Sequence, residues 1–250
     1  MDDLTEDGFL GGRLRILQPR QGYRAGIDPV FLAAAVPATP GQSVLELGTG
    51  VGTAILCLAR RVDGLTLAAL ELQPDYAELA RKNALTNGID VEIETGDLAR
   101  MPAPLKSRRF DHVLMNPPFF HRDKRTQASD QGRETALSEA TDLADWCGAG
   151  LRRLAPGGRL TLIQAAERLP DILALLAPQV GTIEVRPLAP RSGRTASRVI
   201  VSATRGGRAF ALHPPTILHA AEAHRSDAPD YAPDVEAVLR HGAPWPWIES

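Results

Sequence analysis

Short, continuously apolar runs alternate along the chain with longer segments whose apolar residues recur at helical spacing. An apolar run without polar alternation is typical of a strand covered on both faces, as in a parallel sheet. Four predicted strands contain such runs, Ser43–Leu47, Thr66–Glu71, Phe110–Met115 and Arg159–Gln164, and a fifth is predicted over Val91–Glu94, where apolar and charged residues alternate. The segments between and after them predict helices over Thr53–Arg61, Asp75–Asn87, Glu139–Leu154 and Leu169–Leu176. Strands that alternate with helices predict an α/β fold with right-handed crossovers.

Two further strands are predicted over Ile183–Arg186 and Arg198–Ser202, and they are joined by the connector 187–197. A parallel pair needs a long crossover, usually a helix, whereas an antiparallel pair accepts a short connection. We therefore expect a seven-stranded, mostly parallel sheet with an antiparallel closing pair and helices on both faces.

The chain on either side of this region carries a weaker pattern. The stretch 11–18 predicts a short hairpin, and Asp28 followed by Pro29 predicts the start of a helix. The stretch 244–247, Pro-Trp-Pro-Trp, fits either a frayed tail or an aromatic contact. We expect a single domain over 1–250, with the hairpin and helix in 1–40, the core in 41–205 and an extension in 206–250.

Composition places the chain among ordinary globular proteins, with 44% hydrophobic and 23% charged residues. The acidic start, Met1 to Asp7, is unlike a secretory signal, and prolines interrupt the longest uncharged stretch, 29–45. We expect a cytoplasmic protein without a membrane span. Cys57 and Cys147 lie far apart among apolar residues, so core positions are favoured over a disulfide.

Three histidines near the end of the chain raise the question of a metal site. His213, His219 and His224 are not accompanied by cysteines or by a carboxylate cluster in the sequence. Ordinary histidines therefore explain them better than zinc ligands, and no metal is expected.

Charge is distributed unevenly although the formal net charge is only −2. From Val185 to Ala221 there is no Asp or Glu, but there are six arginines: Arg186, Arg191, Arg194, Arg198, Arg205 and Arg208. An uneven chain can carry an anion-binding face while its total charge stays near zero. The alternative is an ordinary solvated surface that happens to be rich in arginine.

The predicted strand Phe110–Met115 ends in Asn116-Pro117-Pro118-Phe119. Neither proline can donate to a ladder, so the strand stops in a rigid corner. The Asn116 side-chain oxygen and the Pro117 carbonyl can both accept hydrogen bonds from an amine, and the Phe119 ring can stack on a flat group. The corner suits a planar substrate amine, although a proline turn beside a core phenylalanine is the simpler alternative.

A glycine loop, Gly48-Thr49-Gly50-Val51-Gly52, connects the first predicted strand to the first helix after it. Glycines allow close backbone approach and the helix start offers free N–H groups, as a nucleotide-like ligand requires. Gly52-Thr53-Ala54 lacks the lysine of a phosphate-binding NTPase loop, and the third glycine comes one residue early for a dinucleotide fold. S-adenosylmethionine is the third possibility, and it leaves a role for the corner at Asn116.

These motifs together resemble the class I S-adenosylmethionine-dependent methyltransferases. The stretch Glu46–Gly52 is similar to their first motif, Glu71 to their ribose-binding acid and Gly96–Leu98 to their adenine-contacting loop. Asn116–Phe119 resembles the signature of members that methylate an amino group conjugated to a π system. The stretches 22–33 and 187–205 further resemble the bacterial tRNA(Val) adenine-37 N6-methyltransferases.

The resemblance implies a Rossmann-like fold and a set of site residues. The implied S-adenosylmethionine contacts are Asp28, Glu46, Gly48, Thr49, Gly50, Gly52, Glu71, Leu72, Asp97, Leu98 and Asn116. The implied catalytic residues are Asn116, Pro117, Pro118 and Phe119. The implied contacts to a tRNA substrate are Arg122, Lys124, Arg125, Arg191 and Arg194, and the loop 120–137 is expected to be a mobile substrate flap.

Three other functions stay open at this point. Protein glutamine methylation uses the same corner, but those enzymes usually carry a helical domain ahead of the glycine motif, and only about 40 residues precede it here. Guanine N2 methylation of ribosomal RNA is a second alternative. A binding module without activity is a third, and it is disfavoured because the glycine loop, Glu71 and Asn116 are all present. The sequence pattern makes no prediction about the oligomeric state.

Overall fold

A computed structural model of the chain describes residues 3–118, 142–220 and 230–247. Its central feature is a nine-stranded sheet. The strands are β3 (Ser43–Leu47), β4 (Thr66–Glu71), β5 (Glu92–Thr95), β6 (Phe110–Met115), β7 (Leu154–Ala165), β8 (Thr182–Ala189), β9 (Arg198–Thr204), β10 (Ala209–Leu212) and β11 (Thr216–Ile217). A separate hairpin pairs β1 (Leu4–Phe9) with β2 (Leu14–Pro19), as predicted for this part of the chain.

Seven α-helices are described in the same three ranges. They are α1 (Asp28–Ala35), α2 (Thr53–Arg61), α3 (Pro74–Thr86), α4 (Ala103–Lys106), α5 (Leu143–Arg153), α6 (Leu169–Leu176) and α7 (Pro233–His241). The start predicted at Glu139 for α5 lies outside the described residues, and Asp142 is the extended residue before the helix. Pro74 at the start of α3 and Pro29 in α1 fit the preference of proline for the first helical turn.

The strands lie in the order β10-β8-β9-β7-β6-β3-β4-β5, with β11 pairing with β8 beyond β10. All seven predicted strands are present, and β9 is antiparallel to both β7 and β8 as expected of the closing pair. The predicted count of seven is wrong, because β10 and β11 extend the edge of the sheet alongside β8. β11 has only two residues, too few for an apolar run to reveal it, whereas β10 is a run of four apolar residues, Ala209–Leu212, that the sequence analysis did not assign to a strand.

Apolar side chains are packed on both faces of the sheet. On one face Val44 and Leu114 belong to a cluster with α1, α2 and α7, and on the other Leu45 and Val113 pack with α5 and α6. Successive residues of a strand point to opposite faces, so strands covered on both sides must be apolar at consecutive positions. The two-sided helix cover is therefore confirmed, and Cys57 and Cys147 are buried free thiols within it.

The end of the described chain forms an aromatic contact and not a frayed tail. The Trp245 ring lies 5.0 Å from the Phe31 ring, and its backbone N–H donates to the Ala34 carbonyl at 2.8 Å. The Arg186 guanidinium lies 5.1 Å from the Trp245 ring and 4.8 Å from the Trp247 ring. The extension thus packs on α1 and β8, although the division of one domain at residues 40 and 205 stays a prediction.

The arrangement of β3, β4 and β6 determines where a ligand can bind. β3 lies between β4 and β6. After β3 the chain moves to one side of it to form β4 and β5, and then crosses to the other side to form β6. Loops diverge at such a switch point and leave a crevice outside the carboxyl ends of the strands. Among the described helices, none has the length and apolar character needed to cross a membrane.

Candidate active site

A cavity of about 410 Å³ lies at the carboxyl ends of β3, β4 and β6. Most of the residues expected at a cofactor and substrate site line it together. These are Glu46, Gly48, Thr49, Gly50, Glu71, Leu72, Asp97, Leu98, Asn116, Pro117 and Pro118. The glycine loop and the Asn-Pro-Pro corner, separated by more than sixty positions, therefore face one space.

The glycine loop has a conformation that only glycine adopts easily. Gly48 and Gly50 have φ angles of +68° and +56°, and the Gly48 and Thr49 N–H groups donate to the Leu70 carbonyl at 2.8 and 3.0 Å. A Cβ atom on Gly48 would lie 2.3 Å from the ring of Trp146. The loop is thus held between β4 and the α5 tryptophan, with its backbone against the cavity.

Glu71 connects the end of β4 to the glycine loop. One carboxylate oxygen accepts the Gly50 N–H at 2.8 Å, and the other accepts the Gln73 N–H at 2.9 Å. Burial raises the pKa of Glu71 above its usual value, while these N–H donors oppose that shift. Because each carboxylate oxygen can accept more than one hydrogen bond, Glu71 can still bind two neighbouring hydroxyl groups.

Glu46 is a buried carboxyl group at the bottom of the loop. One of its oxygens accepts from the Thr49 hydroxyl at 2.6 Å and from the Ile55 N–H at 3.0 Å. Burial is the largest influence and raises the pKa of Glu46 to about 8, with the Glu71 charge adding to it. Glu46 is therefore largely protonated at neutral pH.

This raised pKa predicts how the stability of the protein depends on pH. Between about pH 4.5 and 8 the unfolded chain has lost the Glu46 proton while the folded chain keeps it, so the free energy of unfolding should fall as pH rises. Glu46→Gln mimics the protonated form and should flatten this dependence. Denaturant unfolding of both proteins at several pH values measures it, and parallel curves for the two proteins would contradict it.

At the Asn-Pro-Pro corner, the side-chain oxygen of Asn116 accepts no hydrogen bond from the described residues. Asn116 Nδ2 donates to the Tyr23 hydroxyl at 3.5 Å, and Asn116 Oδ1 is buried with no hydrogen-bond partner within the described ranges. A buried acceptor left unpaired costs about 1–3 kcal/mol, so such an atom in a cavity-lining residue is a candidate for binding a ligand donor. A ligand N–H or O–H group, such as that of an amine, could supply the donor.

Three residues that the sequence pattern did not single out also contribute to the site. Trp146 and Tyr23 line the cavity, and Gln164 donates through Nε2 to the Pro117 carbonyl at 3.1 Å. Gln164 was visible as a polar residue at the end of an apolar strand, which is a usable signal. Trp146 and Tyr23 gave none, because aromatic residues at these positions fit a core equally well.

Two of the predicted cofactor residues do not line the cavity. Asp28 forms an ion pair with Arg198, with 2.9 Å between its Oδ2 atom and Nε. Gly52 precedes α2 with a φ angle of +89°, and a Cβ there would lie 3.4 Å from the Ala80 side chain. In this structure both residues hold neighbouring segments in place beside the cavity.

The six arginines of the segment 185–221 do not form one surface. Arg186 is buried against the tryptophans, and Arg205 donates to the Leu151 carbonyl at 2.9 Å. Arg191 lies 2.9 Å from Asp230, which His219 also contacts at 2.7 Å. These contacts hold Arg191 between protein groups, whereas Arg194 is exposed in the loop that follows β8.

Several predicted site residues lie outside the described residues. They are Phe119, Arg122, Lys124 and Arg125, together with the expected flap 120–137. Within the described ranges, no group of three or more His, Cys, Asp or Glu residues could hold a metal ion.

Comparison with known sequences identifies relatives of this chain. The sequence model of the methyltransferase small domain family matches residues 26–185. The tRNA1(Val) (adenine(37)-N6)-methyltransferase of Porphyromonas gingivalis is 33% identical over 178 residues, which cover 68% of this chain and 69% of that protein. The protein of the same name from Aeromonas hydrophila is 27% identical over 203 residues, covering 80% of this chain and 84% of its own length.

Comparison with solved structures identifies the fold. A predicted O-methyltransferase from Agrobacterium tumefaciens superposes with a TM-score of 0.69 at 24% identity, covering 88% of this chain and 99% of that one. The 16S rRNA N2 G1207 methyltransferase of T. thermophilus, solved with AdoMet and guanosine, gives 0.59 at 19% identity, over 81% of this chain and 50% of that one. Both similarities confirm the Rossmann-like methyltransferase fold.

Proposed function

Since this chain belongs to the methyltransferase small domain family, within the class I S-adenosylmethionine-dependent methyltransferases, we propose that it methylates N6 of an adenine in tRNA. Relatives named for adenine 37 of tRNA1(Val) make that nucleotide the first candidate. The single observation that carries the proposal is the Asn116 side chain, which lines the cavity and whose Oδ1 atom has no hydrogen-bond partner among the described residues, so that it can accept from a donor such as an exocyclic amine.

The described residues fit S-adenosylmethionine. The Gly48 position has no room for a side chain, so the ligand is met there by backbone alone, and Glu71 is placed to accept from the two ribose hydroxyls. Leu72, Asp97 and Leu98 line the part of the cavity beyond β4 and β5 and would surround the adenine ring. When bound, S-adenosylmethionine supplies an electrophilic methyl group.

Asn116 and Pro117 would act on the target amine. The adenine amine is a poor nucleophile because its lone pair is delocalised into the ring. Asn116 Oδ1 and the Pro117 carbonyl would each accept one N–H bond, holding the nitrogen in place and favouring the positive charge that develops on it. The proton can leave after transfer, so no side chain is assigned as a general base. Stacking of Phe119 on the adenine stays a prediction.

The RNA is proposed to approach from the edge of the sheet where the cavity opens. Arg194 lies in the loop between β8 and β9, and Arg198 at the start of β9 is paired with Ala165 at the carboxyl end of β7. This loop is therefore on the same edge as the Asn116 corner. Arg208 follows the other end of β9, where Thr204 is opposite Arg159, and is exposed on the far edge.

Arg194→Ala is expected to weaken tRNA binding and to reduce its salt dependence. Losing one phosphate contact lowers the slope of log K against log salt by roughly 0.7 to 0.9. Arg208→Ala is the matched control, because it removes another exposed arginine from the opposite edge of the sheet. Filter binding at several salt concentrations measures both slopes, and equal slopes for the two variants would place Arg194 on an ordinary surface. Arg191 is left in place because its pairing with Asp230 stabilises the loop.

The activity itself is tested with purified protein, S-adenosylmethionine and unmodified tRNA transcripts. Mass spectrometry of the digested nucleosides should find N6-methyladenosine, and a tRNA1(Val) transcript with adenine 37 replaced should not be methylated. Formation of N2-methylguanosine in place of N6-methyladenosine, or methylation of a glutamine peptide but no RNA, would overturn the proposal. The cytoplasm stays the predicted compartment.

A further inference from the structure

Gln164 is a buried amide that contacts the Asn-Pro-Pro corner from the neighbouring strand. Only 1% of this residue is exposed. Its Nε2 atom lies 3.1 Å from the Pro117 carbonyl oxygen and 3.5 Å from the Pro118 carbonyl oxygen. One side-chain nitrogen therefore contacts both carbonyl groups of the corner.

The pairing of β6 with β7 explains why a side chain takes this position. Met115 is paired with Leu162, so Pro117 follows at the level of Gln164. Pro117 and Pro118 have no N–H groups and cannot continue the ladder. The Gln164 amide supplies donors to the corner where the regular backbone pairing has ended.

The orientation of the Gln164 amide is determined by its other end. Oε1 accepts the Ala165 backbone N–H at 2.8 Å, which requires an acceptor at that position. The two N–H bonds of Nε2 must then point toward the proline carbonyls. Reversal of the amide would place an oxygen beside two carbonyl oxygens and an NH2 beside an N–H, so the observed orientation is strongly preferred.

We propose that Gln164 is a positioning residue for methyl transfer, which holds the Pro117 carbonyl in the direction that accepts the substrate amine. The inference rests on the proposed function, in which the Pro117 carbonyl accepts a hydrogen bond from the second N–H of that amine. A carbonyl oxygen has two lone pairs. Gln164 takes one of them from the β7 side and leaves the other for the substrate. Gln164 touches no reacting atom and acts only through the corner.

Two variants of similar length test this role. Gln164→Met removes both donors and keeps the apolar length of the side chain, while Gln164→Glu keeps the shape but places a carboxylate against the two carbonyls. Each should lower kcat by about 10- to 100-fold, as expected for a small displacement of a reacting group. The KM for tRNA and the Kd for S-adenosylmethionine should stay within about twofold, because the Pro117 carbonyl is still present to accept the amine and only its direction changes.

Thr161→Val on the same strand is the matched control. Thr161 is fully buried and its hydroxyl has no hydrogen-bond partner within the described ranges, so its loss should leave kcat unchanged. Thermal unfolding is followed for all variants, and activity is assayed well below the lowest midpoint.

The possible results separate the inference from the proposed function. The inference is overturned if both Gln164 variants keep the wild-type kcat. It is also overturned if kcat falls only together with cofactor affinity and the thermal midpoint, because that result means that Gln164 merely stabilises the fold. A loss of kcat with unchanged affinities supports it. If the wild-type enzyme methylates another amine instead of tRNA adenine, the proposed function fails, while the same comparison on that amine still tests Gln164.

Discussion

Asn116→Ala is expected to lower the rate of methyl transfer by at least about 100-fold, the usual cost of removing one well-placed transition-state hydrogen bond. Asn116 lines the cavity and its Oδ1 atom is a buried acceptor without a partner in the part of the chain that the structure describes, and alanine has nothing to replace it. The fold should change little, because Pro117 and Pro118 fix the backbone of the corner and Gln164 holds their carbonyls.

Asn116→Asp is the informative companion variant. A carboxylate can still accept from the amine, so part of the activity should remain. Asn116 Nδ2 donates to the Tyr23 hydroxyl, and the second carboxylate oxygen of the Asp variant cannot do so. The Tyr23 hydroxyl can instead donate to that oxygen. We expect single-turnover rates in the order wild type, Asn116→Asp, Asn116→Ala.

Calorimetry with S-adenosylmethionine is the control for both Asn116 variants, since cofactor affinity should be nearly unchanged. A wild-type rate on unmodified tRNA for purified Asn116→Ala would show that this corner is only a turn between a strand and the following chain.

Glu71→Ala is expected to weaken S-adenosylmethionine binding by about 10- to 150-fold. Hydrogen bonds to a charged carboxylate are worth about 1.5–3 kcal/mol, which corresponds to that range of Kd. Glu71 also accepts from the Gly50 and Gln73 N–H groups, so its loss would loosen the glycine loop as well. NAD should not bind measurably to either protein.

Glu78→Ala is the matched control for this experiment. Glu78 lies on α3, close to Glu71 in the sequence, and its side chain is 75% exposed in an ion pair with Arg81. Exposed pairs of this kind contribute about 0–1 kcal/mol, so its removal should leave cofactor affinity unchanged. Calorimetry that finds the same Kd for wild type and Glu71→Ala would remove Glu71 from the ribose site.

The sequence alone predicted the features that depend on neighbouring residues. Buried parallel strands require consecutive apolar residues, so β3, β4, β6 and β7 were recognisable as short apolar runs. Glycine permits the positive φ angles found at Gly48 and Gly50, and proline cannot continue the strand at Pro117. These local rules were enough to predict the α/β fold, the glycine loop and the Asn-Pro-Pro corner.

The tertiary structure decided which distant residues meet. Arg198 pairs with Asp28 across 170 positions, so an arginine from the basic segment supports the start of α1. Trp146 limits Gly48 to glycine, and Gln164 reaches Pro117 only because β7 lies beside β6 in one register. Strand order and register arise from packing of the whole sheet, and an apolar run carries no information about its neighbour. For the same reason β10 and β11, with four and two residues, became strands only through their pairing with β8.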